Sequence, residues 1–206
     1  MDFREDEFDV FEKGDFMETI RNVEINQLHD FKNHPFKVEV NKELCELMKS
    51  IEKEGVLVPL LVRTNPYGDG YEIISGHRRK EAAVWAGETK VPVVIRELDD
   101  DQAVVAMVDS NLHRENLKPS EKAFAYKMKL EAMKRQGVRT DLTLSQNETK
   151  LRSDEVLSKQ VGESRAQVQR FVRLTELIPE LLDLVDNKKL QFTVAVNISY
   201  IDKEVQ

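Results

Sequence analysis

An apolar strand that runs straight into a basic helix sets the strongest limit on how this chain can fold. Residues 71–83 read Tyr-Glu-Ile-Ile-Ser-Gly-His-Arg-Arg-Lys-Glu-Ala-Ala. Tyr71 to Ile74 has the make-up of a strand, and Ser75-Gly76 is the whole connector before a helix begins. Such a turn aims the first backbone N–H groups of the helix at whatever lies above them, and the helix dipole favours an anion there. Gly76 permits a close approach to the backbone. Arg78 and Arg79 suit a bidentate grip on phosphate oxygens. Ser75, Gly76, His77, Arg78 and Arg79 are therefore candidates for a polyphosphate or nucleotide cradle. The alternative is a solvated basic first turn with no ligand, although cations at a helix N-terminus oppose its dipole.

The 206 residues have room for one or two domains, and 40% hydrophobic residues can build a core. No apolar run approaches the ~20 residues that a membrane helix needs. The acidic start, Met1-Asp2-Phe3-Arg4-Glu5-Asp6-Glu7, is the opposite of a signal peptide. The single cysteine, Cys45, has no internal disulfide partner, and His29, His34, His77 and His113 lack metal-ligand spacing. A cytoplasmic protein without structural zinc and away from membranes is expected. The net charge of −7 conceals an uneven distribution. Residues 1–20 hold eight acids and two bases, 114–139 eight bases and three acids, and 150–173 six bases and three acids. Nucleic-acid binding depends on such local surfaces rather than on the sum.

Residues 1–20 carry Phe3, Phe8, Phe11 and Phe16 among acids and read as a flexible tail. From there the pattern predicts a short strand at 23–25 and a loop over 28–36. Asn41 caps a helix that ends at Gly55. A buried strand follows over Val56–Val62, then a turn-rich hairpin over 65–70. Beyond the Gly76 turn come a strand at 91–95 and a helix from the Asp99-Asp100-Asp101 cap to about Asn111. Pro119 opens a helix to about Gln136, and 137–152 reads as a mobile loop. The chain is thus expected to be α+β, with a small α/β domain over 21–117 and an all-helical domain over 118–206.

Residues 153–174 have the pattern of a helix-turn-helix. A short helix, Ser153 to Val161, reaches Gly162, and Ser164-Arg165-Ala166-Gln167 opens a second helix with capping-box spacing. Val168, Phe171, Val172 and Leu174 face inward, leaving Arg165, Gln167, Gln169, Arg170 and Arg173 outside. Arginine and glutamine pair with guanine and adenine edges in the major groove, and Ser164 can hold a phosphate. The alternative is an ordinary helical hairpin with a polar face. Segments 176–185 and 190–201 read as supporting helices, and the chain reads as a possible fragment.

Over roughly 21–201 the order of parts resembles the ParB partition-protein family. His34-Pro35-Phe36 is similar to the family's first box, and Gly55-Val56-Leu57-Val58-Pro59-Leu60 to its Gly-Ile-Ile-Gln-Pro-Ile strand. Ser75 to Ala83 resembles the Gly-Glu-Arg-Arg phosphate box. Ser110-Asn111-Leu112-His113-Arg114-Glu115-Asn116-Leu117-Lys118-Pro119-Ser120-Glu121 resembles the Glu-Asn-Leu-Gln-Arg box. The resemblance implies a homodimer that binds double-stranded DNA at a centromere-like site and closes as a clamp on binding CTP with Mg2+. It implies that Gly76, His77, Arg78 and Arg79 hold the triphosphate, Asn111 the magnesium, and that Arg114 lies near the phosphates. It also implies a ParA-like ATPase as partner, with a plasmid or mobile element as a possible source. Several residues depart from the pattern. His77 stands for the glutamate of the phosphate box, Ser110 for the hydrolysis-linked glutamate, Val58 for the nucleobase-side glutamine, and the N-terminal arm is acidic instead of basic. The expected enzyme is at most a slow CTPase, with Ser110 and His113 the candidates at the hydrolytic position. The alternative is a transcriptional or nucleoid-binding regulator that keeps the fold and lacks the switch. A sulfiredoxin-type activity would need a cysteine near Gly76-His77, and a small-molecule kinase would have no use for the helix-turn-helix. A P-loop ATPase is excluded by the missing Gly-x-x-x-x-Gly-Lys motif.

Overall fold

The computed structural model describes residues 19–32, 34–36, 38–112, 114, 117–141 and 152–206, with backbone alone for 138–141. The expected acidic tail lies outside the described residues up to position 18. Two compact units are present, Met1–Asp99 and Asp100–Gln206. The first is mixed α/β and the second all-helical, which makes the chain α+β as its patterning predicts.

Among the described residues of the first unit, five strands form one sheet: β1 (Ile20–Glu24), β2 (Leu28–Asp30), β3 (Leu60–Thr64), β4 (Tyr71–Ser75) and β5 (Lys90–Ile95). Their order is β1-β5-β3-β4-β2. The β1–β5 and β3–β4 pairs are antiparallel, and β3–β5 and β2–β4 are parallel. β2 is a strand where the sequence predicts a loop. Its composition is weak, but Leu28 is buried opposite Tyr71, so pairing with β4 overrides local preference. Helices α1 (Lys42–Glu54) and α2 (His77–Trp85) pack on each other. Asn41 Oδ1 accepts from the Leu44 N–H at 2.9 Å, and Gly55 ends α1, both as expected. Leu44 and Ile51 of α1 share one core with Leu60, Val62, Ile73, Ala82, Val91 and Val93.

The run Val56–Val62, which the sequence predicts as one buried strand, enters the sheet only at Leu60. Pro59 has no N–H to offer a ladder. The carbonyls of Val58 and Pro59 both accept from Arg79 Nη1, at 2.7 and 2.5 Å. A side chain from α2 thus occupies the acceptors that strand pairing would need, and Leu57 and Val58 remain 72% and 62% exposed.

The second unit contains α3 (Asp100–Leu112), α4 (Pro119–Asp141), α5 (Ser153–Val161), α6 (Arg165–Leu174), α7 (Pro179–Asp186) and α8 (Phe192–Ile198). α3, grouped with the first domain on sequence, packs on α4 within this unit. α4 is helical to Asp141, so Gly137 lies inside it instead of opening a loop, and 142–151 lie outside the described residues. Tyr126 and Leu130 of α4 pack with Leu157 and Val168, which joins α4, α5 and α6 in one cluster. Ala123, Leu174, Leu182, Val185 and Ala195 form a second. Lys129, 2% exposed, donates to Asp109 of α3 and Gln160 of α5, and Gln160 Nε2 donates to Asp109 Oδ1 at 2.8 Å. Ser120, in the first turn of α4, donates its N–H and hydroxyl to the Asp186 carboxylate of α7, at 2.9 and 2.5 Å. Among the described residues no helix is long and apolar enough to cross a membrane.

The sheet of the first unit carries a buried ion pair. Arg63 Nη2 lies 2.6 Å from Glu72 Oε2, and both side chains are 4% exposed. Removing one partner strands the other charge away from water, whereas replacing both by apolar groups removes the desolvation penalty as well. Glu72→Ala is expected to lower the unfolding free energy of this unit by about 3–5 kcal/mol, and Arg63→Met with Glu72→Leu to lose far less. Chemical denaturation of the two variants measures the difference.

Candidate functional site

The turn between β4 and α2 owes its shape to Gly76. Its φ is +114°, and a Cβ built on it would sit 2.7 Å from Leu60 Cγ. Leu60 is fully buried and has no space to withdraw, so both the backbone angle and the contact require glycine. Among the described residues no side chain caps α2, and the first amides of its opening turn lack intrahelical partners. Ser75 sits at the end of β4 opposite Leu61.

The three side chains after Gly76 have different surroundings. His77 is packed on His34, with ring centroids 3.9 Å apart and planes at 49°. Its Nε2 is buried without a hydrogen-bond partner among the described residues. Burial, reinforced by the neighbouring His34 and Lys80 and opposed by Asp30, pushes the His77 imidazole down to about 3. His77 is therefore a neutral ring at ordinary pH, not one of the cations of the turn. His34 Nδ1 donates to the Phe36 carbonyl at 2.7 Å; an acceptor-only partner fixes the proton on that nitrogen. Arg78 Nη2 reaches Asn41 Oδ1 at 3.4 Å and Glu43 Oε2 at 3.3 Å, at the start of α1. Arg79 turns inward to Val58 and Pro59, and burial lowers its pKa. Lys80 pairs with Asp30 at 2.9 Å. The sequence did not announce His34, Asp30 or Glu43 as neighbours of the turn, because each is brought in by the sheet or by the α1–α2 packing from 35 or more positions away.

The remaining residues expected at a nucleotide belong to the second unit, at and just beyond the end of α3. Ser110 Oγ donates to the Met107 carbonyl at 2.9 Å, so its hydroxyl is turned onto its own helix. Asn111 Nδ2 donates to the same carbonyl at 2.9 Å, and Asn111 Oδ1 accepts from Arg114 Nη1 at 3.3 Å. His113 lies outside the described residues. No group of three or more His, Cys, Asp or Glu that would hold a metal ion occurs among the described residues.

α5 and α6 meet at Gly162, whose φ of +68° makes the tight turn that the sequence predicts. Ser164 Oγ accepts from the Gln167 N–H at 3.1 Å and starts α6. Glu163 in the turn pairs with Lys122 of α4, and Lys122 also lies over the Phe171 ring, 4.6 Å from its centroid. Ser164, Arg165, Gln169 and Arg170 are exposed, while Gln167 and Arg173 are half-buried. Arg165 is paired with Asp154 of α5, Nη2 to Oδ2 at 3.0 Å. Arg173 donates to the Ser199 carbonyl at 2.5 Å and stacks on Tyr200 at 4.2 Å, contacts that hold it against the region after α8. The outward face of α6 is thus narrower than its polar residues alone indicate. The sequence counts Asp154 among the three acids of 150–173 but gives no sign that it pairs with Arg165 across the glycine turn.

Residues 12–112 match the ParB N-terminal domain. A chromosome-partitioning protein Spo0J from Thermus thermophilus is 36% identical over 156 residues, covering 76% of this chain and 51% of that protein. The chain spans about half the length of the curated relatives it matches. A C-terminally truncated chromosome-partitioning protein ParB from Caulobacter crescentus, in a crystal structure complexed to the centromeric parS site, is similar with a TM-score of 0.56 and 28% identity, covering 90% of this chain and 87% of that one. A Pnob8-like ParB-N domain has a TM-score of 0.58 at 19% identity, covering 89% and 80%, a likeness of fold alone.

The neutral His77 links this turn to stability. Its folded pKa of about 3 lies below the ordinary 6.5, so between these values the unfolded chain binds more protons than the folded one. Stability is expected to fall as pH drops from 6.5 towards 3, and His77→Gln is expected to flatten that part of the profile. Urea unfolding of both proteins at pH 7 and pH 5 tests this; parallel profiles would show that the imidazole is not buried as described.

Proposed function

The chain belongs to the ParB family, whose N-terminal domain it carries, and from that premise we propose that it is a DNA-binding partition protein. It recognises a centromere-like site through α5 and α6 acting as a helix-turn-helix, with CTP at the Gly76 turn as its switch. The observation that carries the reading is the build of α6: a serine-capped helix after a glycine turn, with Arg165, Gln169 and Arg170 exposed. Arginine and glutamine offer the paired donors and acceptors that match guanine and adenine edges. The Caulobacter protein, complexed to parS, supports DNA as partner, being alike over nine-tenths of this chain. A second copy of the chain and a ParA-like ATPase are the protein partners that fit this role, on a plasmid or a chromosome.

Gln169→Ala and Arg170→Ala are expected to reduce discrimination by about 1–3 kcal/mol for each base pair contacted. Selection from sheared genomic DNA, followed by titration of the selected and a scrambled duplex at fixed salt, measures it. Equal preference in wild type and both variants rules out α6 as the reader.

For the nucleotide, the uncapped first turn of α2 and the absence of a Cβ at Gly76 fit an anion, and Arg78 is the guanidinium at the turn not committed to the Val58–Pro59 backbone. When bound, CTP would supply a triphosphate whose charge this turn can hold. The donor set does not fit magnesium by itself, since Asn111 Oδ1 faces Arg114. Ser110 is neutral and turned onto its helix, a poor general base. The competing reading, a regulator without the switch, is favoured by one observation: Arg79 is held by backbone carbonyls. CTP is expected to bind, to be lost in Arg78→Ala, and to be hydrolysed slowly, with Ser110→Glu faster in the presence of the selected DNA. Equilibrium binding and phosphate release decide the matter, and DNA retention indifferent to CTP would establish the regulator.

A further inference from the structure

We propose that Asp154 is a positioning residue that presents Arg165 to a guanine and so sets part of the DNA specificity of this chain. The proposal rests on the reading of α6 as the DNA-facing helix. Asp154 lies in the first turn of α5, and its side chain is only 10% exposed, whereas that of Arg165 is 46% exposed. Its Oδ2 accepts from Arg165 Nη2 at 3.0 Å and from Nε at 3.3 Å. A longer contact to the same oxygen comes from Gln169 Nε2, one turn further along α6, at 3.5 Å. Arg152 Nε lies 3.5 Å from Oδ1.

The chemistry follows from the guanidinium's shape. Its five N–H groups lie in one plane. The carboxylate occupies the edge formed by Nε and one side of Nη2. What remains is the end edge, with parallel N–H groups on Nη1 and the outer side of Nη2. That edge still presents two parallel donors, which match the O6 and N7 acceptors of guanine. An unrestrained arginine would have to give up several rotatable bonds on binding, and the carboxylate removes much of that loss in advance.

A plain surface ion pair is a weaker account of the same geometry. Exposed pairs contribute little to stability. An acid close to a DNA-facing surface also repels phosphate, so for affinity alone its removal would be an advantage. The two roles predict opposite signs. A structural carboxylate, when removed, lowers stability and all DNA binding together. A positioning carboxylate, when removed, lowers binding to the preferred sequence and leaves binding to random DNA unchanged or stronger.

The experiment is selection of duplexes from a random library by the full chain, for wild type, Asp154→Asn, Asp154→Ala, Arg165→Ala and Arg165→Lys, with thermal melting of each. Wild type is expected to select a motif with a guanine whose preference Arg165→Ala abolishes. Asp154→Asn and Asp154→Ala should lose preference at that same position by roughly tenfold to a hundredfold, with random-duplex affinity equal to wild type or higher. Arg165→Lys should fail to restore it, since a point charge has no fork. If Asp154→Ala does not fold, the near-isosteric Asp154→Asn decides. Asp154 variants that keep the guanine preference overturn this proposal alone. Equal losses on specific and random DNA with a lower melting temperature overturn it in favour of a structural role. A wild type that selects no sequence overturns both this proposal and the reading of α6.

Discussion

Arg79 reaches back from α2 to the carbonyls of Val58 and Pro59, and much of the first unit depends on that reach. The bond decides where β3 begins, because acceptors held by a guanidinium are not offered to a neighbouring strand. It places Leu60 at the start of β3 and at the floor of the Gly76 turn, where only a residue without a Cβ fits. The same side chain that the sequence offers as a phosphate ligand therefore builds the platform on which such a ligand would sit. Arg78, tied to the opening of α1 by two long contacts near the limit for a hydrogen bond, is placed differently: its partners are partly exposed and exchangeable.

Charge has a comparable part in the second unit, in a drier setting. Lys129 is a fully buried cation whose donors meet Asp109 and Gln160. A buried ammonium is tolerated only when paired and hydrogen-bonded. These partners come from α3 and α5, so the helix that carries Ser110 and Asn111 in its last turn and the first helix of the glycine-turn pair are fastened to the same atom of α4. Lys122, two helical turns earlier on the same side of α4, fastens the turn itself through Glu163.

Local patterning was informative wherever a residue acts on its own neighbourhood. Asn41, Gly55, Gly162 and Ser164 do at the helix ends what their chemistry predicts. The strand-to-helix turn at Gly76 was legible for the same reason. Two of the failures share a cause in partners distant along the chain. β2 exists because β4 pairs with it, and Val56–Pro59 stays outside the sheet because Arg79 intervenes. Gly137 remains helical within α4 although glycine is a poor helix former. At the candidate sites the residue types were legible but their commitments were not. His77 is charged in a list of side chains and neutral against His34, and Arg173 is polar on a helical wheel and bound to Ser199 and Tyr200 in space.

The division of labour on α6 has an evolutionary consequence. Val168 and Leu174 are buried and hold the helix in its cluster, while Gln169 and Arg170 project into solvent. Substitutions at the exposed pair leave the packing intact, since surface changes away from caps and cores usually alter stability by about 0.5 kcal/mol or less. The exposed positions of α6 can therefore vary at little risk to the fold. Arg165 is less free: its replacement leaves a nearly buried carboxylate with only the longer contacts to Arg152 and Gln169, so this position is expected to change in concert with Asp154 on α5.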